Sequence, residues 1–453
     1  MIEEIFKDRW SYHFFRRYVD WSVKTSYTRA QVIGTENIPD PKTNGVIIAP
    51  NHCNALMDAL VVLMSRKPAT LFGARADIFK KKRTADAMHY LKILPMVRVR
   101  DGLHNVIKNI ETNKVVIDAM DKGMPFCIFP EGRHRTMHSI CRLAKGTQRI
   151  ALQAYETFGD RKPVWIVPAG IEYGDYFRLR SSAVLEYGKP INVTEIVKHQ
   201  LELHGVDKLS DAGFSPDQDD VRKVTIEQAI MRDLGAAITD GISKCISYLP
   251  DDDNYERRWA LVEFVSAGFK GKPQEVKRKK QALISKILKM DAERPGEMEA
   301  LYKDVLKLRE KCDKRGISHR SFGPKRLGWL LAAKTLYAII GVPYYLYSVI
   351  TTLPMWVTAH IVSGKMTDPT FLNTIHFLIK IAFLPWIFLI WAILAFCFLP
   401  WYIAIPALIL CIPAYDFIYD TKEFLRRYVS DWRLFTNKKI RKAQHNIVKR
   451  FTM

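Results

Sequence analysis

Residues 46–64 read VIIAPNHCNALMDALVVLM. A short apolar run, VIIAP, gives way to three polar residues and then to an apolar segment of helical length. The change reads as a buried strand, a turn and a helix. His52 directly follows the strand, and Asp58 stands inside the apolar run LMDALVVLM. A carboxylate buried there without a partner is costly, and His52 is the nearest candidate. A carboxylate on one ring nitrogen fixes the tautomer and raises the basicity of the other. That is the base-and-orienter half of a catalytic triad. The chain has no GxSxG motif, and Cys53 adjoins His52 on the chain, where neighbours rarely face each other. The base is therefore expected to act on a hydroxyl of the substrate.

The same rhythm extends outward. ATLFGA (69–74), PMVRV (95–99), PFCIFP (125–130), VWIVPAG (164–170) and AVLEYG (183–188) read as further strands. Residues 54–65, 104–122 and 144–158 have helical spacing. Strands alternating with helices predict an α/β domain with a mixed, largely parallel sheet flanked by helices. Functional groups in such sheets sit at strand ends. Three more stretches fit that position. FPEGRHR (129–135) offers Glu131, with Gly132 allowing close backbone approach and Arg133 adding a cation. LPMVRVRDG (94–102) places Arg98 and Arg100 on one strand face, either of them a fork for phosphate. In VPAG (167–170), Pro168 is expected to end a strand, with nearby amides facing the reaction.

Taken in this order, the motifs resemble those of the glycerophospholipid acyltransferase family, lysophosphatidate and glycerol-3-phosphate acyltransferases among them. The matching residues are Asn51, His52 and Asp58; Arg98; Phe129, Pro130, Glu131 and Gly132; Val167 and Pro168; with echoes in Lys145, Gly146 and GKPI (188–191). The resemblance covers about residues 30–195. It implies His52 as general base with Asp58 as its orienter, Arg98 (with Arg100 or Arg133) on the acceptor phosphate, and Glu131 on the glycerol part. It implies an acyl thioester, carried by CoA or acyl carrier protein, as donor, and neither metal nor cofactor. One departure is informative. Five residues, Cys53 to Met57, separate His and Asp where the family usually has four. On a regular helix the extra residue rotates Asp58 by about 100°. The turn must absorb it, or His52 lies outside the helix. The longer spacing resembles the glycerol-3-phosphate and dihydroxyacetone-phosphate branch. A second departure, Arg133-His134-Arg135 after FPEG, replaces the usual hydroxyl residue, Arg and Ser.

The 453 residues carry 69 Lys+Arg against 47 Asp+Glu, a net +22, with 48% hydrophobic residues. That composition excludes a disordered chain and asks for an anionic partner. The charge is uneven. Residues 327–420 hold only Lys334, Lys365, Lys380, Asp368, Asp416 and Asp420, whereas residues 421–453 hold ten basic and two acidic residues. Uncharged stretches between Lys334 and Lys365 and between Lys380 and Asp416 are long enough to cross a bilayer. Pro343 and Pro354 divide the first, and Pro400 the second. Basic flanks on both sides stay cytoplasmic, which requires an even number of crossings, two or else four.

The expected organisation is an amphipathic helix over 1–24, an acyltransferase domain over 25–200, a helical region over 201–326, transmembrane helices over 327–420 and a basic cytoplasmic tail over 421–453. In the first helix Phe6, Trp10, Phe14, Tyr18 and Trp21 share a face that suits either the membrane interface or the protein core. Acidic stretches at 211–221 and 250–254 read as helix caps and turns. Met298, Leu301, Val305, Leu308 and Cys312 form a helical stripe. Seven cysteines without a CxxC pair read as reduced thiols in a cytoplasmic setting. The function expected is transfer of a fatty-acyl group to glycerol 3-phosphate at the cytoplasmic face of a phospholipid bilayer. The alternatives are a 1-acylglycerol-3-phosphate acyltransferase or a non-catalytic membrane-binding scaffold. A nucleic-acid partner is not expected, since no nucleic-acid motif accompanies the charge.

Overall fold

The structure is a computed structural model and describes residues 2–66, 69–97, 106–207, 209, 219–324 and 327–452. Two of the expected phosphate ligands, Arg98 and Arg100, and most of the acidic stretch 211–221 lie outside the described residues. The chain divides into two compact units. The first comprises residues 1–23, 31–173 and 183–246; the second comprises 24–30, 174–182 and 247–453.

The strands are β1 (Tyr27–Ile33), β2 (Gly45–Pro50), β3 (Leu71–Arg75), β4 (Ile93–Met96), β5 (Phe126–Cys127), β6 (Val164–Tyr173), β7 (Ser181–Tyr187) and β8 (Ile191–Asn192). They form one sheet in the order β1-β7-β6-β2-β5-β3-β4, with β8 also on β6. β2 runs parallel to both β5 and β6, and β3 parallel to β4 and β5, while β7 and β8 are antiparallel to β6. Every residue of β2 is buried, as its unbroken apolar run requires of a strand covered on both faces. The sheet is thus mixed and largely parallel.

The helices of the first unit are α1 (Trp10–Thr25, its last two residues counted with the second unit), α2 (Ala55–Met64), α3 (Lys82–Tyr90), α4 (Val106–Asp121), α5 (Gly146–Phe158), α6 (Val193–Leu203) and α7 (Asp219–Cys245). α1 buries Tyr12, Arg16, Val19, Ser22 and Val23 and leaves Trp10 81% and Phe14 70% exposed. Trp10 and Phe14 are therefore turned away from the unit's core, whereas Phe6, which precedes α1, packs against it. Arg16 donates to the carbonyls of Leu63 and Arg66. A cation there satisfies orphan acceptors at the end of α2 and complements its dipole. The core gathers Ile47, Ala49, Leu71, Phe126 and Ile166 from the sheet with Ile150 of α5, Val197 of α6 and Leu234, Ile238 and Ile242 of α7.

Pro168 does not end a strand. It sits within β6, paired with Ala49 of β2, and its carbonyl accepts from the Gly188 amide at 2.8 Å. A central strand admits proline only where no ladder donor is lost. Here the ring packs against Gly241 of α7, leaving no room for a side chain there. Pro168 is thus part of the sheet's interior, which corrects its expected place at the end of a strand.

The second unit holds α8 (Tyr255–Ser266), α9 (Pro273–Glu293), α10 (Pro295–Lys314), α11 (Leu327–Gly364), α12 (Leu372–Phe398), α13 (Trp401–Thr436) and α14 (Lys438–Thr452). Asp252 accepts from the Asn254 amide at 2.9 Å and from Arg258, the turn-forming role expected of 250–254. α10 buries Met298, Leu301, Val305, Leu308 and Cys312, as their spacing predicts. Among the described residues three helices are long and apolar enough to cross a membrane: Leu327–Gly364, Pro369–Phe398 and Trp401–Thr436. That differs from two or four. The second uncharged block breaks at Leu399–Pro400, but the first stays helical through Pro343 and Pro354, since proline is tolerated inside membrane helices.

At Gly170 the C-terminal end of α7 lies close against the sheet. A Cβ there would lie 2.3 Å from the Cys245 carbonyl oxygen. Gly170→Ala is expected to destabilise the first unit by about 1–3 kcal/mol, read as a lower denaturation midpoint of the full-length protein in detergent.

Candidate active site

The site forms where β2 ends. Asn51 continues the strand through its side chain. Its Nδ2 donates to the Ile171 carbonyl at 3.1 Å, and its Oδ1 accepts from the Ile171 amide at 2.6 Å. The amide group thus mimics a peptide unit and ties the turn to β6.

His52 lies outside α2, and Asp58 lies in that helix's first turn. The extra residue is taken up by the turn Cys53-Asn54-Ala55, where Ala55 adopts φ 42°. A side chain at positive φ is strained and persists only when its surroundings hold it. Asp58 does the holding. Its Oδ2 accepts from the amides of Cys53 at 2.8 Å and Asn54 at 2.7 Å, and from His52 Nδ1 at 2.8 Å. Its Oδ1 accepts from Tyr173 Oη at 2.8 Å. The carboxylate is fully buried, yet every donor around it is a hydrogen-bond partner, which is the condition for burying a charge. It also stands at the positive end of the α2 dipole.

With Nδ1 bonded to Asp58, Nε2 has no protein partner among the described residues. The ring stacks on Phe129 with centroids 4.2 Å apart and meets His134 edge-on at 5.6 Å. The His52 side chain is 18% exposed, so it can reach a substrate.

Glu131, expected to touch the substrate, holds two backbone amides. Its Oε1 accepts from the His52 amide at 2.9 Å and its Oε2 from the Cys141 amide at 3.0 Å. The Arg135 amide closes the loop by donating to the His52 carbonyl at 3.0 Å. Glu131 therefore clamps the backbone that carries the base. Burial pushes its carboxyl above the usual range, against the pull of the two amides. Gly132 follows at φ 61° with its amide on the Phe129 carbonyl. Arg133 is exposed at the loop surface, available to an anion.

Cys53 is no nucleophile. Its thiol is buried and points to Asp58 Oδ1 and the Ile171 carbonyl. Burial first, and then the negative Asp58, raise its pKa well above the ordinary thiol value, so it stays protonated at neutral pH. Among the described residues no group of three or more His, Cys, Asp and Glu side chains is arranged to hold a metal ion. Tyr173 escaped the sequence reading. It lies at the far end of β6, 115 residues from Asp58, and no local pattern links the two.

A buried carboxylate and a histidine oriented by it thus stand together at the end of a parallel strand. The sequence profile of the family described as Acyltransferase matches residues 29–172. Glycerol-3-phosphate O-acyltransferase 2 of Saccharomyces cerevisiae is 38% identical over 87 residues, 19% of this chain but 12% of that protein's length. The crystal structure of the 1-acyl-sn-glycerophosphate (LPA) acyltransferase of Thermotoga maritima aligns over 50% of this chain and 79% of its own, with 18% identity and a TM-score of 0.30. Residues 29–172 are thus similar in sequence to an acyltransferase domain.

Tyr173→Phe removes a hydrogen bond to a buried charge and is expected to cost about 1–3 kcal/mol of stability, measured by denaturant unfolding against the parent. Cys53 is expected to resist maleimide at pH 8 in the native protein and to react once the chain is unfolded, as read by mass spectrometry of the labelled peptide.

Proposed function

We propose that this chain is a membrane-bound O-acyltransferase that moves a fatty-acyl group from an acyl thioester to glycerol 3-phosphate, a step of phospholipid biosynthesis. The observation that carries the proposal is the His52–Asp58 contact of 2.8 Å around a fully buried carboxylate. It leaves a base with no enzyme nucleophile to activate. The substrate must supply the hydroxyl.

In this mechanism His52 Nε2 takes the proton of a glycerol hydroxyl as that oxygen attacks the thioester carbonyl. Asp58 holds the ring and stabilises its positive charge. The tetrahedral adduct collapses by breaking the carbon–sulfur bond, and the imidazolium returns its proton to the departing thiolate. The ester and a free thiol are the products. Glu131 and Tyr173 act through their partners: one fixes the His52 backbone, the other the Asp58 carboxylate. Arg98, with Arg100 or Arg133, is assigned to the acceptor phosphate by the motif resemblance and by the bidentate fit of guanidinium to phosphate. The donor is carried by CoA or acyl carrier protein, and no cofactor takes part. The catalytic domain and basic tail are assigned to the cytoplasmic face by the positive flanks.

Glycerol 3-phosphate is preferred over its 1-acyl derivative because of the five-residue His–Asp spacing and the name of the yeast relative matched over 87 residues. A non-catalytic scaffold would have no use for a strained turn and a buried charge that together aim one imidazole.

His52→Ala is expected to lower transfer by about 10²–10⁴-fold with unfolding unchanged, measured with purified protein and labelled acyl-CoA. Near-normal turnover by the folded variant would refute the general-base scheme. Offered glycerol 3-phosphate, dihydroxyacetone phosphate and lysophosphatidate in turn, the parent protein is expected to prefer the first. Arg98→Ala is expected to raise the acceptor KM more than it lowers kcat.

A further inference from the structure

The path of the apolar helices can be followed through their side-chain contacts, all within the second unit. α11 first runs antiparallel to α13. Thr335 bonds Tyr428, Tyr337 packs on Phe424, Tyr344 bonds the Leu410 carbonyl and Tyr347 that of Ala407. Thr351 then receives the Trp391 indole at 3.0 Å. As numbers rise along α11, its partners descend along α13.

The trend then breaks. Trp356 stacks on Tyr419 at 5.3 Å, and Lys422 lies over the same indole at 5.6 Å. A straight helix would carry Trp356 about 13 Å beyond Tyr347. Its partner instead lies about 18 Å back up α13 from Ala407. Pro354 stands between, where the missing amide releases a helical hydrogen bond and permits a sharp bend. α11, which stays helical, therefore bends sharply at Pro354.

The next connection agrees. Residues 365–371 span at most about 25 Å. They lead into α12, whose His376 bonds Tyr419 at 2.6 Å and whose Lys380 bonds Asp416 at 2.6 Å. α12 then descends to Leu399–Pro400, and α13 climbs back. Both turning points are uncharged, and the one at Leu399–Pro400 exposes Phe398 and Trp401. Lys334, Lys380, Asp416 and Asp420 all lie toward the opposite end. The uncharged legs Ile381–Phe398 and Trp401–Tyr415 measure about 27 and 22 Å, short of the ~30 Å hydrocarbon layer.

We propose that residues 327–436 form a one-sided membrane anchor: a helix bent back at Pro354 and a hairpin, which enter and leave through the same face of a phospholipid bilayer, with their turning points inside the lipid and no segment exposed on the far side. The unpartnered apolar surface fits lipid on its chemistry. Ile340, Ile350, Leu389, Ile393 and Ile409 are each more than half exposed, and burying such a surface in hydrocarbon is what holds an interfacial element to a membrane. Zero crossings also leaves both basic flanks on one side, as their charge requires. The proposal stands independently of the reaction assigned above.

The test uses the full-length protein in sealed vesicles and a membrane-impermeant maleimide applied to each face in turn. Cys397, near the second turning point, is the one exposed cysteine among the described residues. In the parent it is expected to stay unlabelled from both faces and to react once detergent dissolves the bilayer. Met366→Cys and Thr452→Cys, each made with Cys397→Ser, are expected to react from one and the same face. Labelling of residue 366 from the face opposite residue 452 would show that α11 crosses, and labelling from neither face would remove the loop from the entry side; either overturns the proposal. Labelling of Cys397 in intact vesicles from either face overturns it as well.

Discussion

The site depends on a single buried carboxylate. Asp58 lies in an apolar helix, inside a sheet-and-helix core, and its charge is tolerable only because four donors converge on it. Each donor is thereby fixed. Two are amides of the turn that enters α2, so the strained backbone at Ala55 is held by the same group that orients the base. One is the imidazole itself. The fourth is a tyrosine from β6, which ties the turn to the centre of the sheet. Removing the carboxylate would release the turn, the helix start and the histidine together. Orienting the histidine and holding the fold are one task here.

A second carboxylate repeats the pattern one loop away. Glu131 gathers the amides of His52 and Cys141, so the residue carrying the base is gripped by its ring from one side and by its backbone from the other. The Asn51 amide adds a third hold through Ile171. Such a ring needs no motion to present Nε2. Preorganisation of this kind is what a general base requires, since a displaced proton acceptor loses its effect over fractions of an ångström.

Much of this was legible in the sequence. VIIAP became a strand because nothing in it tolerates water, and LMDALVVLM became a helix with its one charge aimed at the neighbouring histidine. The heptad-like stripe of α10 buried as its spacing demands. What was not legible was non-local or conformational. Tyr173 meets Asp58 across most of the domain, and no pattern announces it. Glu131 was legible as a candidate because a carboxylate after a strand and before a glycine suits a site, but its hold on two backbone amides was not. Pro168 looked like a strand end because proline costs a ladder bond, whereas here its ring fills the space opposite Gly241. β1 and α3 lack the apolar runs that mark their neighbours. The extra residue between His52 and Asp58 could be counted but not placed; a single positive φ at Ala55 accommodates it.

The bend at Pro354 has a mechanical corollary. Hairpins inserted through one face occupy area in one lipid layer and little in the other. The near layer is wedged apart and the far layer is not, so insertion does least work where the near layer is already stretched by outward curvature. The bent helix and the hairpin, the latter tipped by bulky Phe398 and Trp401, make a large wedge. An anchor of this form would be sensitive to membrane shape, and its residence would differ between a flat sheet and a tubule of the same lipids.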